Sequence, residues 1–322
     1  MKLNMDKFGN EGEKEKHFIG KKLRVYDEET AQRLSSEGFG KMKKGKLDLE
    51  LEEAAYLIEH RKLSGDLLHF LIRASEIEKG IEDRAVVYIE LKKRGYRVKP
   101  GRIMKAVRGE RSIRIRVFSE RERFSFRSII NLLKRERSFI VCIVDEECDI
   151  TAYKLSLFKP QNYGREIEDR MSAYLTGGRI FAENTIEQFG ERFSNTYELS
   201  LYETYYLMKK GMLELYGCDD LLETAKKEQK DFELAYSVYE ALMDKGYEPK
   251  TGFKYGTHFR VYDFRVDDIH APYLVHSFKE GSRVAWNEIS RASRVAHTVK
   301  KKMLFASVGS EINYIKCERF KV

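Results

Sequence analysis

The chain repeats itself, and this limits its fold more than any other feature. Leu49 opens LELEEAAYLIEHRKL, and 150 positions later Leu199 opens LSLYETYYLMKKGML. Val87 opens VYIELKKRGYRVKPG, and 151 positions later Val238 opens VYEALMDKGYEPKTG. The second pair reads as two amphipathic helices stopped at Gly95 and Gly246, since glycine enters the left-handed conformation that closes a helix without a Cβ penalty. The halves also end alike. SFIVCIVDEECDITAYKLSLF from Ser138 and KMLFASVGSEINYIKCERF from Lys302 each hold an apolar run, a polar turn and a second run, the pattern of a β-hairpin. Such a period predicts two copies of one unit, each running from a small leading region with helices into a strand-rich trailing region. The expected fold class is α+β, with two tandem repeats. The segment FKPQNYGR at 158–165, with Pro160 and Gly164, marks the junction. Duplicated units are expected to pack about a pseudo-twofold axis, as homodimers do.

Charge narrows the partners. The net charge of +8 is unevenly spread. Residues 92–137 hold 17 Lys or Arg against 4 Asp or Glu, and residues 251–322 hold 13 against 7. Residues 151–250 reverse the balance, 13 against 18. Two basic blocks suggest a polyanion such as nucleic acid, although two solvated faces would read the same way. The four cysteines form no C-x-x-C pair, so the motif of a zinc ribbon or a thioredoxin is absent. Cys142 and Cys317 sit in apolar, strand-like runs and read as core residues. The polar N-terminus lacks the apolar stretch of a signal peptide, and no apolar run approaches the ~20 residues of a membrane span. The expectation is a cytoplasmic protein with no membrane partner.

The halves differ where chemistry would sit. The second contains GFKYGTHFRVYDFRVDDIHAPYLVHSF from Gly252 and ends its helix with SRASRVAHTVKKKMLFASV from Ser290. Aligning Arg116-Val117-Phe118 with Arg260-Val261-Tyr262 puts Phe118 in place of the tyrosine. The loop carrying His270 then has no counterpart, and Arg137 stands where the second half has Lys301. One copy holds a phenol, an imidazole and an ammonium; the other lacks the first two. This suits one catalytic and one structural unit.

FRVY, an eight-residue step to His-Ala-x-Tyr, and then Arg-x-Ala-His-x-Val-x-Lys before an apolar strand together resemble the C-terminal catalytic domain of tRNA-splicing endonucleases. LxLxxxEAxYL in the leading region is similar to the same family. The resemblance runs from about Lys22 to the C-terminus. It implies the archaeal form that works as a homodimer of two-unit chains, each unit a small mixed domain followed by a nuclease-like mixed sheet. The division is then 1–160 as the non-catalytic unit, 161–250 as the leading domain of the catalytic unit and 251–322 as the catalytic domain. The activity implied is removal of introns from precursor tRNA at bulge–helix–bulge sites, with no metal and no cofactor. RNA can be cut by its own 2′-hydroxyl if a base removes the proton, an acid protonates the leaving 5′-oxygen and a cation offsets the extra transition-state charge. By resemblance the base is Tyr262, the acid His270 and the cation Lys301, with Lys300 the alternative one position earlier. Histidine suits the acid role, with an ordinary pKa of about 6.5, whereas a tyrosine near 10 needs a positive setting. Arg294, with Arg319 as companion, is implied to stack on an extruded base, as guanidinium planes do. The acidic turn at Asp145, Glu146, Glu147 and Asp149 is implied to plug a basic cleft on the other chain.

Read without the resemblance, each residue has a plainer role. A tyrosine ending a strand is commonly a rim residue, a loop histidine is solvated, and lysines before a strand guard an edge. Arg294 reads as a helix-surface ion pair, Trp286 as packing and His297 as a dipole partner at a helix end. His258 and His276 alternate with apolar residues and read as sheet residues. Two other functions compete. A metal-dependent nuclease or junction resolvase would need Asp…Glu-x-Lys carboxylates, and Glu90-Leu91-Lys92 has that local spacing but lies in a helix of the half without the Tyr–His pair. A non-catalytic RNA-binding scaffold would use the repeat and the basic block equally well.

Overall fold

In both repeated leading segments a glutamate three residues into a helix caps the start of that helix. The computed structural model describes residues 16–164, 169–184, 189–263 and 270–321. In its first quarter, strands β1 (Lys16–Ile19), β2 (Lys22–Val25), β3 (Lys41–Lys43) and β4 (Lys46–Glu50) form a sheet of order β1-β2-β4-β3, with helix α1 (Glu28–Ser36) between β2 and β3. Helices α2 (Leu51–Glu59), α3 (Leu67–Ile77) and α4 (Ile81–Lys93) follow. Glu53, in the first turn of α2, accepts the Glu50 amide at 2.9 Å and the Gly40 amide at 3.3 Å. One buried carboxylate thus satisfies an orphan helix donor and ties the helix to the sheet.

The trailing part of this half comprises β5 (Arg97–Lys99), β6 (Met104–Arg108), β7 (Arg111–Ser119), β8 (Arg123–Ser125), helix α5 (Phe126–Glu136), β9 (Ser138–Val144) and β10 (Ile150–Phe158). The second half opens on β11 (Met171–Thr176), β12 (Arg179–Ala182), β13 (Glu191–Phe193) and β14 (Thr196–Leu199), in the order β11-β12-β14-β13, then α6 (Leu201–Lys209). Glu203 of α6 accepts the Ser200 amide at 2.9 Å and the Gly190 amide at 3.1 Å, the contact that Glu53 makes in the first half. A fifth strand, β15 (Leu213–Tyr216), joins β11 in parallel. Helices α7 (Leu221–Glu228) and α8 (Phe232–Met243) lead to β16 (Glu248–Thr251), β17 (Phe259–Tyr262), β18 (Tyr273–Lys279), β19 (Arg283–Ala285), α9 (Trp286–Thr298), β20 (Lys302–Val308) and β21 (Ile312–Phe320). Helices α4 and α8 are closed by Gly95 and Gly246, each at φ 80°.

The trailing strands merge into one ten-stranded sheet, β16-β17-β18-β20-β21-β10-β9-β7-β6-β5. Outward from the central antiparallel pair β10–β21, both wings run the same way: an antiparallel hairpin, a parallel neighbour, then two antiparallel strands. The alternation of strand side chains splits the core. Ile140, Cys142 and Ala152 pack under α4, Val261, Val275 and Tyr314 under α8, and Phe139, Tyr153, Phe305 and Cys317 under α5 and α9. Trp286, at the start of α9, is 1% exposed and stacks on Phe118 and Phe124 of the other half, at 4.8 and 4.2 Å between centroids. It welds the wings on the face opposite α4 and α8.

The sheet corrects one alignment. Counted from the centre, β7 answers to β18 and β6 to β17, so Phe118 stands where the other wing has Phe278. Met104 opposes Ile115 as Phe259 opposes Val275, which gives the place of Tyr262 to Val107. Sequence alone matched Arg-Val-Phe with Arg-Val-Tyr across strands of different topological rank.

Candidate active site

Strand direction decides what meets here. Strand β17 runs antiparallel to β18, and β18 runs parallel to β20. The end of β17 and the starts of β18 and β20 therefore share one edge of the sheet. Tyr262 is the last residue of β17, His270 lies three positions before β18, and Lys301 immediately precedes β20. The structure thus brings all three to one place. In the other wing β6 passes to β7 through Gly109 and Glu110 alone, so no loop there could carry a histidine.

Lys301 is held by two contacts. Its amide donates to Ala296 O at 2.8 Å as the helix closes, and its Nζ donates to Ala271 O. The residue beside His270 is thereby tied to the ammonium. An ammonium carries three donors, and among the described residues this is the one acceptor recorded for it. Its Nζ also lies 6.0 Å from the centre of the Tyr255 ring. Lys300 differs: it is exposed, at φ 55°, and closes α9 by donating its amide to His297 O at 3.0 Å. Lys302 is exposed and its amide donates to Pro272 O at 2.9 Å. His270 is exposed and Tyr262 is half-buried. Asp267 and Asp268, which precede His270 in the chain, lie outside the described residues.

Sequence reasoning passed over Arg260. Strand alternation puts it on the same side as Tyr262 two residues on, and its guanidinium lies 5.9 Å from the centre of the Tyr262 ring while pairing with Glu191 at 3.1 Å. The period of two in FRVY was the available signal.

Arg294 is exposed on α9 and lines a cavity of about 610 Å³ with Glu120, Asp145, Thr151, Asn287 and Arg291. Tyr153, whose hydroxyl contacts Ser290 O at 3.2 Å, reaches the Arg294 guanidinium, and Arg319 is its direct cross-strand partner. Arg319 follows Cys317, the cross-strand partner of Met303, by two residues, so it lies beside the start of β20 that Lys301 precedes. In the acidic turn, Asp145 accepts the amides of Glu147 at 3.1 Å and Asp149 at 2.9 Å. Its carboxylate shapes the turn rather than projecting from it. Glu146, Glu147 and Asp149 are exposed, Glu146 in an ion pair with Arg121.

The other histidines have structural partners. His258 Nδ1 accepts the Ser277 amide at 2.9 Å and its Nε2 contacts Asp231 at 2.6 Å, which fixes the tautomer. His276 lies beside it, tilted, at 4.4 Å between centroids, and burial, with His258 adding to it, holds its imidazole down at about 4. His297 sits in the last turn of α9. Glu90 bonds Arg94 at 2.7 Å within α4 and Leu91 is in the core, so the Glu-Leu-Lys triplet presents no carboxylate pair.

A phenol, an imidazole and an ammonium share one sheet edge, with no carboxylate among the three. A family model described as the tRNA intron endonuclease catalytic C-terminal domain matches residues 232–314, and one for the N-terminal domain of that family matches residues 15–67. A tRNA-splicing endonuclease of Methanosarcina mazei is 33% identical over 88% of this chain and 92% of its own length. One from Methanococcoides burtonii is 31% identical over 88% of this chain and 93% of its own. A protein of the same name from Pyrococcus horikoshii is 35% identical, matched over 95% of its length and 46% of this chain. The chain belongs to the tRNA intron endonuclease family.

Proposed function

We propose that this chain removes introns from precursor tRNA by cutting at bulge–helix–bulge sites through attack of the RNA's own 2′-hydroxyl. Tyr262 takes the 2′-hydroxyl proton, His270 gives a proton to the leaving 5′-oxygen, and Lys301 offsets the charge gathered on phosphorus. The bond formed is 2′-oxygen to phosphorus and the bond broken is phosphorus to 5′-oxygen. No step needs a metal or a cofactor. The observation that carries this reading is the tie from Lys301 Nζ to Ala271 O, which links the charge stabiliser to the chain next to the acid.

The chain is read as two repeated units, divided at 1–160, 161–250 and 251–322, with the catalytic set in the second. The matched wings of the sheet, and a relative of which 95% covers under half of this chain, support duplication. Two splice sites need two active sites, which a homodimer supplies. Glu146, Glu147 and Asp149 are assigned to the contact between chains, and Arg294 with Arg319 to an extruded base. The setting is read as cytoplasmic; among the described residues no helix is long and apolar enough to cross a membrane.

Mass spectrometry of the cut ends, with excess EDTA, tests the reaction. The 5′ fragment is expected to end in a 2′,3′-cyclic phosphate and the 3′ fragment to begin with a 5′-hydroxyl. A 3′-hydroxyl facing a 5′-phosphate would overturn the mechanism.

A further inference from the structure

The basic block of the first half is not used by the chemistry above, and the sheet gives it an unusual order. Seven residues of β5, β6 and β7 are exposed; six are Lys or Arg and the seventh is Ser112. Register sets like charges directly opposite. Lys99 faces Lys105, and Lys105 faces Arg114, giving a row across three strands. At about 4.8 Å between strands, the row spans about 10 Å. Directly opposed like charges destabilise a sheet. Relief here is slight: Glu136 lies 3.8 Å from Arg114 and is itself bound by Arg116. Among the described residues no carboxylate pairs with Lys99 or Lys105. Lysine on an edge strand is a common guard against strand addition, and Lys99 on β5 fits that role. Lys105 and Arg114 do not, because β6 and β7 have neighbours on both sides.

We infer that the row Lys99–Lys105–Arg114 is a second RNA-binding surface, which holds phosphates of a double-helical part of the precursor away from the cut. The partner class follows from the row's chemistry. It exposes cations and a hydroxyl but no aromatic side chain, so it offers phosphate contacts and no platform for unpaired bases. It also lacks the apolar centre of a protein interface. The row lies on the face that bears α5 and α9, opposite Met104 and Ile115, and in the wing without the Tyr–His pair. The non-catalytic unit thereby gains a task, gripping the body of the RNA. This rests on the precursor-tRNA reading above.

The test compares two RNAs: a full intron-containing precursor tRNA and a short duplex holding only the two bulges and their helix. In the full chain, Lys99→Gln, Lys105→Gln and Arg114→Gln are combined. For the precursor, the half-saturating enzyme concentration is expected to rise on the order of tenfold, and the slope of log affinity against log salt to fall by about 2 to 3, near one per phosphate lost. Cleavage at saturation and binding of the short duplex are expected to stay unchanged. The triple variant is expected to melt no lower than wild type, since it relieves opposed charges; Lys105→Gln alone serves as a milder second variant. An unchanged precursor affinity, an equal loss for both RNAs, or a shift to a smaller sedimenting species would overturn the inference, the last by assigning the row to a second copy. If wild type cut neither RNA, the functional reading would fail, while direct titration of uncut precursor would still decide the row.

Discussion

Lys300 and Lys301 are neighbours with different work. Lys300 spends its backbone in the left-handed conformation that ends α9, and its side chain is exposed. Lys301 turns its ammonium to the Ala271 carbonyl. Lys300→Gly suits that conformation, and cleavage is expected to stay within about threefold. Lys301→Ala and His270→Ala are each expected to slow single-turnover cleavage by about 10²-fold or more, the scale of a lost charge stabiliser or a lost general acid. Substrate affinity should change little. A fast Lys301→Ala beside a slow Lys300→Gly would move the catalytic role by one residue. The spacing to the apolar strand made the candidate Lys301 legible beforehand. Its carbonyl partner was not, because a backbone oxygen thirty residues away leaves no mark in a sequence.

Strand β18 shows a cost carried within an element. It is a central strand, with β17 on one side and β20 on the other, and His276 sits in its middle with Nδ1 buried and unpartnered. His258, Asp231 and Arg291 surround the ring electrically. The imidazole titrates at about 4 in the fold against 6.5 in the open chain. The native state therefore binds this proton less well than the unfolded state. Stability from this group is complete above pH 6.5 and is lost as pH falls through 4, on the order of 3 kcal/mol in all. His276→Gln removes the titration. In urea unfolding at pH 7 and pH 4.5, the variant is expected to lose less stability between the two than wild type does. Equal losses would show that His276 is already protonated at no cost. Alternation with apolar residues identified it as a sheet residue, but its burial depends on the helices that cover that face.

For the whole molecule, the question is how two cuts are held at a fixed distance. On the proposed reading, one catalytic edge per chain calls for a second chain, and the hairpin turn between β9 and β10 offers three exposed carboxylates. Asp145 is better left intact, because its side chain builds the turn. Changing Glu146, Glu147 and Asp149 to Lys reverses the charge while keeping that scaffold. Sedimentation of wild type is expected near twice 37.9 kDa, and of the variant near a single chain, with cleavage lost although Tyr262, His270 and Lys301 are intact. A dimeric, active variant would remove the turn from the interface.

The sequence by itself determined the period, the glycine-closed helices, the two terminal hairpins, the mixed α and β elements and the family. These follow from local rules: helix closure, strand alternation and residue spacing. Tertiary structure decided the rest. Only the merged sheet shows that Phe118 answers to Phe278 and Val107 to Tyr262, because rank in a sheet is set by hydrogen-bond pairing and not by similar letters. Trp286 read as packing, but only the fold shows it joining the two wings. Arg294 and Asp145, 149 positions apart, line one cavity. The basic block was visible as composition, but its alignment into a row of facing cations required the register of three strands. Charge can be counted along a chain; opposition between charges exists only once strands are paired.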